Sequence, residues 1–490
     1  MDANENANAS AAVGEQKTPA GIGWKLFNVF SRIDTQTVAV VILFLLSLQP
    51  LFGIIEKTPA QYDLVAFYYA KTILIRFLGC LGAANWLMDF YCKVYIHKKD
   101  AWKQTFLKRP WTGFLAVLLV WSLFAILIAY NKDLAFFGAA YRYEGFLSYL
   151  AYAGIFLNAA LIRGEKQRNI LFAATAAVSS ALAALTLIKE AADSSFLMFR
   201  NGQVGAFSGT FINSNHYGYY LCVSLIVIAG LYMSSAKLWG KLLCGFCFTL
   251  NLVALLYNGS LGPYLAIAVG LALYFVFCLI RKGFRKSSPL LVLIALFVGL
   301  SFLLNGQKVI KDIGLISRQT GEVIEVIQSG SSDTPEGRKA IESIGSARGA
   351  LWEKTLKIIR ENPVMGVGTD NVQLYINNGI PHNEYLQIAA NLGIPGIALW
   401  LAALLSCFAF AVKNLKKLSD GALVAGMAVL VYCVSAFTGI SIPVAAYQLF
   451  FFLGMLTGWF KKRDETVMNE KLMARLEQKS DVPQDPAPEE

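Results

Sequence analysis

The sequence predicts an all-α polytopic membrane protein of about twelve transmembrane helices, with a long, mostly helical extracytoplasmic loop. Three observations predict it. Of 490 residues, 56% are hydrophobic and only 15% are charged, against roughly a quarter charged in an ordinary soluble domain. Runs of about 18 or more mostly apolar residues, long enough to cross a bilayer, recur along the chain. The lysines and arginines fall in every second gap between those runs, as expected if short positive loops stay cytoplasmic.

The elements follow in order. Residues 1–36 are mostly polar or small and read as a cytoplasmic arm. They lack an apolar core with a cleavage site, so no secretory signal is expected. Nine membrane runs then fill 37–304: 37–55, 64–91, 112–130, 145–162, 170–188, 210–233, 239–257, 261–280 and 289–304. The run 64–91 is the weakest, because Lys71 and Arg76 lie inside it. Those two either snorkel along a tilted helix or line a polar cavity. The stretch 305–382 is an outer loop of about 78 residues, far beyond an ordinary connection. Three more runs, 386–412, 421–439 and 442–460, lie within 383–463, and 464–490 is a charged cytoplasmic tail.

The basic clusters fix the orientation. They include Lys25/Arg32, Lys93 to Arg109, Arg163/Lys166/Arg168, Lys237/Lys241, Arg281 to Lys286, Lys413/Lys416/Lys417 and Lys461 to Arg463. With twelve spans these are the gaps and tails of one side, so both termini are expected in the cytoplasm. The net charge of +11 is therefore a topology signal and does not point to nucleic acid. The eight cysteines lie in or at the ends of spans, which argues against a disulfide framework. Cys244 and Cys247 have redox-motif spacing but read as small packing residues inside a buried helix. No internal repeat supports a repeat-built transporter.

The long loop carries nine basic and nine acidic residues and reads as a cap on the membrane face. Two amphipathic helices are expected in it. One runs through Val309, Ile313, Ile316, Val323 and Ile327. The other runs through Ile344, Leu351, Trp352, Leu356 and Ile359 and ends before Pro363.

The polar residues that matter face this outer side. "PHNEYLQIAANLGIPG" (381–396) opens a long apolar run. As one helix, 383–412 would be about 45 Å long at 1.5 Å per residue, against about 30 Å of hydrocarbon. Its first turns should project outward, with a kink at Gly393, Pro395 and Gly396. Asn383 suits an N-cap and Glu384 the first turn. His382 then sits at the positive end of a helix at phosphate depth, neutral and able to accept a proton. Four other stretches add to it: "AAYRYEGF" with Arg142 and Glu144, "MFRNGQVGAFSGTFINSNHYG" with Arg200, Asn213, Asn215 and His216, "YNGSLGPY", and the loop's Arg338, Arg348 and "NPVMGVGTDN". Each alone could be an interface anchor or a turn. Together they aim cations, amides and imidazoles at one face, as an anionic headgroup such as a pyrophosphate requires. No zinc, Walker, dinucleotide or serine-hydrolase motif is present, and no metal or cofactor is expected.

"SARGALWEKTLKIIRENPVMGVGTDN", "PHNEYLQIAANLGIPGIALW" and the upstream "GTFINSN" resemble the shared core of the bacterial O-antigen ligase and polysaccharide polymerase (Wzy-type) superfamily. The resemblance implies a metal-independent lipid-linked oligosaccharide transferase in the bacterial cytoplasmic membrane. Such an enzyme takes a glycan from an undecaprenyl-pyrophosphate donor to a hydroxyl of a glycan, lipid or protein acceptor on the outer face. Arg348 matches the family's pyrophosphate-binding loop arginine, and His382 its essential histidine. One departure stands out: Leu261 occupies the place of a second family arginine. Either Arg142, Arg200 or Arg338 substitutes, or the donor or the activity differs. Two alternatives remain: a transporter or flippase for an amphipathic anionic lipid-linked substrate, and a non-catalytic scaffold of a cell-envelope assembly complex.

Overall fold

The computed structural model describes residues 22–52, 64–97, 99–140, 142–192, 207–211, 213–304, 311, 314, 348–376 and 379–460. Among these there is no strand; the chain is helix and connecting loop. Nine helices among the described residues are long and apolar enough to cross a membrane, and a bent pair, Ile22–Phe30 with Thr35–Leu51, raises the number to ten. The chain is thus a multi-pass membrane protein. Among the described residues the count is nine or ten, against the twelve or so expected. Each of the twelve apolar runs does fall on a helix, but Phe146–Ala159 is too short to cross alone, and Leu290–Leu304 runs to the edge of the described residues. The first run begins within Thr35–Leu51, which meets a preceding helix, Ile22–Phe30, at a 62° bend. There Asp34 caps the helix Thr35–Ser47 by accepting from the amides of Gln36 and Thr37. The expected loop helix through Val309 to Ile327 lies outside the described residues. The second forms as Arg348–Glu361, but it buries Thr355, Ile358 and Ile359, and Leu356 faces outward.

Lipid tails are as apolar as leucine, so the helices associate through close packing and buried hydrogen bonds. The helices Ser214–Ser234 and Pro443–Phe460 form the centre, with 83% and 94% of their apolar windows buried. Leu64–His97 meets Phe146–Ala159 at Gly79 and Gly154, whose backbones approach so closely that neither site has room for a Cβ. Buried amides join neighbouring helices: Asn85 donates to the Thr35 carbonyl and to Asn158, and Asn251 donates to Ser180.

The connecting loops sort into two ends. At one end Arg281 and Lys282 pair with Asp420, while Arg168 and Ser419 share Glu165. Three of the basic gaps therefore meet one another. At the other end the loops around 131–144, 207–213, 258–260, 348–382 and 438–441 are interlinked. All of these belong to the side expected to be outer.

Lys71 and Arg76 both reach backbone carbonyls of the loops at the site end. The buried Lys71 ammonium donates to the Thr210 carbonyl at 2.7 Å. Arg76 donates to the carbonyls of Phe137 and Tyr143, at 2.6 and 2.9 Å, and to the Ser148 hydroxyl at 3.1 Å. Each charge in the span anchors loop backbone at the site end, which offsets its cost in lipid.

Candidate active site

The site is built on a broken helix. Glu384–Lys413 starts at Asn383, whose side chain accepts from the Leu386 amide, and leaves helical geometry at Gly393 (φ 73°). A Cβ at Gly393 would collide with the Val364 carbonyl oxygen. The break frees backbone groups that must be paired elsewhere. Pro395 has no N–H to give to Asn391, four residues back. Gly368 supplies that bond instead, at 2.9 Å. Ile394 turns its N–H to the Pro363 carbonyl, and Val367 donates to the carbonyl of Ala390 that Ile394 left. The Trp121 indole takes the Leu392 carbonyl. The glycine turn "NPVMGVGTDN" is thereby zipped onto the kink.

The same turn captures a second loop. Thr369 donates to the Ala135 carbonyl, Asn371 exchanges bonds with the Asn131 backbone, and the Asp370 carboxylate accepts from the Ala139 amide at 2.6 Å. Asp370 also forms a buried ion pair with Arg142 at 2.7 Å. Burial pushes the Asp370 carboxyl above its usual range, and Arg142 pulls it back.

His382 precedes the helix. Its Nδ1 is buried and has no hydrogen-bond partner among the described residues. Burial holds the imidazole below its ordinary pKa of 6.5, and the positive charges of Arg348 and Arg142 depress it further. Both arginines therefore lie within electrostatic reach of this histidine. Arg348 is oriented by donating to the Thr438 carbonyl at 3.0 Å, and Trp352, on the same helix, donates to the Pro381 carbonyl just before His382. His216 is buried within reach of His382. His382, Asp370 and Tyr143 all adopt positive φ, near 50°. That conformation costs a non-glycine residue about 1–2 kcal/mol, and such strain collects where a fold holds functional groups in place.

A carboxylate pair stands beside these cations. Glu144, two residues after Arg142, is 1% exposed and accepts from Tyr152 at 2.7 Å and Ser441 at 2.5 Å. Burial raises its pKa to about 7, those two bonds and Arg76 working against the rise. Glu384 is also buried and accepts from Tyr432 at 3.0 Å.

The structure thus brings together His382, Arg348, Arg142 and His216. Asn213 caps Ser214–Ser234 by accepting from the Asn215 amide, and Asn383 caps the broken helix. Both asparagines therefore have structural work at the edge of the site, and Asn215 lies half-buried on the first turn of that helix. Arg200 and Arg338 lie outside the described residues. Sequence reasoning missed Asp370, Glu384, Gln387 and Ser441 as site residues. An acid inside a glycine-rich turn on an arginine-bearing face was a usable signal for Asp370, and Glu384 and Gln387 stand in the same block as His382; Ser441 had none. At the departing position, Gly262 beside Leu261 packs against the Thr438 side chain, and the Thr438 carbonyl holds Arg348.

Residues 246–401 match the family model described as O-Antigen ligase. The match spans about a third of the chain and takes in Arg348, the glycine turn, His382 and the kink. It bears out the resemblance to the O-antigen ligase-like superfamily and indicates a glycosyl-transferring membrane enzyme of the ligase or polymerase kind. No curated protein matches the chain.

Proposed function

We propose that this protein transfers a glycan from an undecaprenyl-pyrophosphate carrier to an acceptor hydroxyl at the outer face of the bacterial cytoplasmic membrane, without a metal ion. The observation that carries the reading is the convergence of Arg348 and Arg142 on a half-buried His382 whose pKa they and burial hold below 6.5, from three separate segments of chain. The acceptor oxygen attacks the anomeric carbon, and the bond from that carbon to the phosphate oxygen breaks. The departing diphosphate gathers negative charge, which the two guanidinium groups stabilise. The hydroxyl proton passes to the imidazole, which is neutral and so able to receive it. In this scheme Arg142 takes the part of the arginine that Leu261 replaces.

Transport is the weaker reading, because Lys71 and Arg76, the charges a midplane path would need, are committed to loop carbonyls. A scaffold would survive loss of the histidine. The test is transfer by purified protein from a labelled undecaprenyl-pyrophosphate glycan. His382→Ala and Arg348→Ala should each lower the rate by about 10²–10³ while inserting normally. Full activity in both variants would end the proposal.

A further inference from the structure

Behind the cationic groups lies a cavity that the transfer scheme does not use. Its volume is about 170 Å³. Its body is apolar, walled by Trp86, Leu115, Leu119, Phe156, Trp400 and Phe450. Its polar groups are Glu144, Glu384, Gln387, Ser441 and the hydroxyls of Tyr152 and Tyr432, with Tyr149 and Thr112 also on the wall. Ser441 and the hydroxyls of Tyr152 and Tyr432 already donate to the two carboxylates. What is left over is accepting capacity. Each carboxylate oxygen can take more than one hydrogen. Gln387 is 2% exposed, and its side-chain oxygen has no partner among the described residues. A buried acceptor left unpaired costs about 1–3 kcal/mol, so a ligand that brings donors to it gains that energy back.

Only one of the two sides carries cations. A diphosphate is drawn to Arg348 and Arg142 and meets no lysine or arginine on the chamber wall. The cavity therefore suits a body of hydrocarbon with a head that donates hydrogen bonds and carries no negative charge. Aromatic walls with carboxylate and carboxamide acceptors can bind a sugar or polyol head through its hydroxyls.

We propose that this cavity is a binding subsite for a neutral, hydroxyl-bearing amphiphile, held by Glu144, Glu384 and Gln387 and distinct from the cationic diphosphate face. On the transferase reading, on which this role alone rests, it is where the acceptor waits. The acceptor is then a non-anionic, lipid-borne hydroxyl.

The experiment uses the full chain in nanodiscs of zwitterionic lipid and a medium-chain alkyl glucoside carrying a photoreactive diazirine in its tail. The expected result is saturable labelling of the peptides that contain Trp86, Leu119 and Trp400. An alkyl phosphate of the same chain should label them at least tenfold less. Gln387→Leu should weaken the glucoside's half-saturation about tenfold, and Ala153→Phe, which fills the chamber, should abolish labelling. Equal labelling by the phosphate, labelling that does not saturate, or indifference to Gln387→Leu overturns the subsite. Labelling needs no turnover. Saturable labelling in a protein that transfers no glycan therefore supports the subsite and counts against the transferase reading alone.

Discussion

The Arg142–Asp370 pair is the most informative place to perturb this protein. Asp370→Asn is nearly isosteric, and the new carboxamide oxygen can still accept the Ala139 amide. What it removes is the negative charge beside Arg142. Both side chains are under a tenth exposed, so solvent screening does little to soften the loss. Breaking a buried pair from one side typically costs about 3–5 kcal/mol, because the surviving charge stays buried. Detergent-driven unfolding of purified protein should show a loss of that size. Amide exchange should quicken in 131–140, the segment that Asp370 and Asn371 hold. Adding Arg142→Met should recover about 2 kcal/mol or more, since the second change removes the stranded charge. Transfer should not recover, because the diphosphate has lost a cation. If Asp370→Asn unfolds within about 1 kcal/mol of the parent, or the double variant is as unstable as the two single losses added together, the pair does not hold the site as argued.

Three further outcomes follow from the geometry. Gly393→Ala should cost about 2–4 kcal/mol, from the left-handed backbone and the loss of the Ile394 bond to Pro363; loss of amide protection at Val367 and Gly368 checks it. Glu144 gives a pH slope. Its carboxyl is raised from 4.5 to about 7 in the fold, so its contribution is complete below pH 4.5 and is lost as pH rises through 7. At about 1.4 kcal/mol per pH unit the fall is about 3 kcal/mol. Glu144→Gln should flatten that part of the stability profile, and an unchanged slope would assign the effect elsewhere. His382 should react with diethylpyrocarbonate as a neutral imidazole with a titration midpoint below pH 6.5. Arg348→Gln removes one of the charges that depress it, so peptide mapping should find the midpoint moved upward.

The fold was legible where one-dimensional pattern suffices. Apolar length, charge alternation, the Asn383 cap and the kink at Gly393 to Gly396 all rest on neighbouring residues. The family-like blocks around Arg348 and His382 could be read from the same local order. Span completeness was less legible, because a run of apolar letters does not reveal a helix that stops at Ala159. The partners of Lys71 and Arg76 were hidden for a related reason. A charge in an apolar run invites a search for water or headgroups, and nothing nearby in sequence announces carbonyls at Thr210, Phe137 and Tyr143.

The sequence by itself therefore determined which segments are helical and membrane-seeking, how they alternate, and which polar residues share a face. Only the tertiary structure decided that Asp370 meets Arg142, that Gly368 completes the helix Pro395 interrupts, and that Glu144, Glu384 and Gln387 head one chamber. Those pairings join groups as many as 297 residues apart, as with Ser441 and Glu144. A buried polar group accepts whichever partner packing delivers, and packing is settled by the whole bundle and not by the residues on either side.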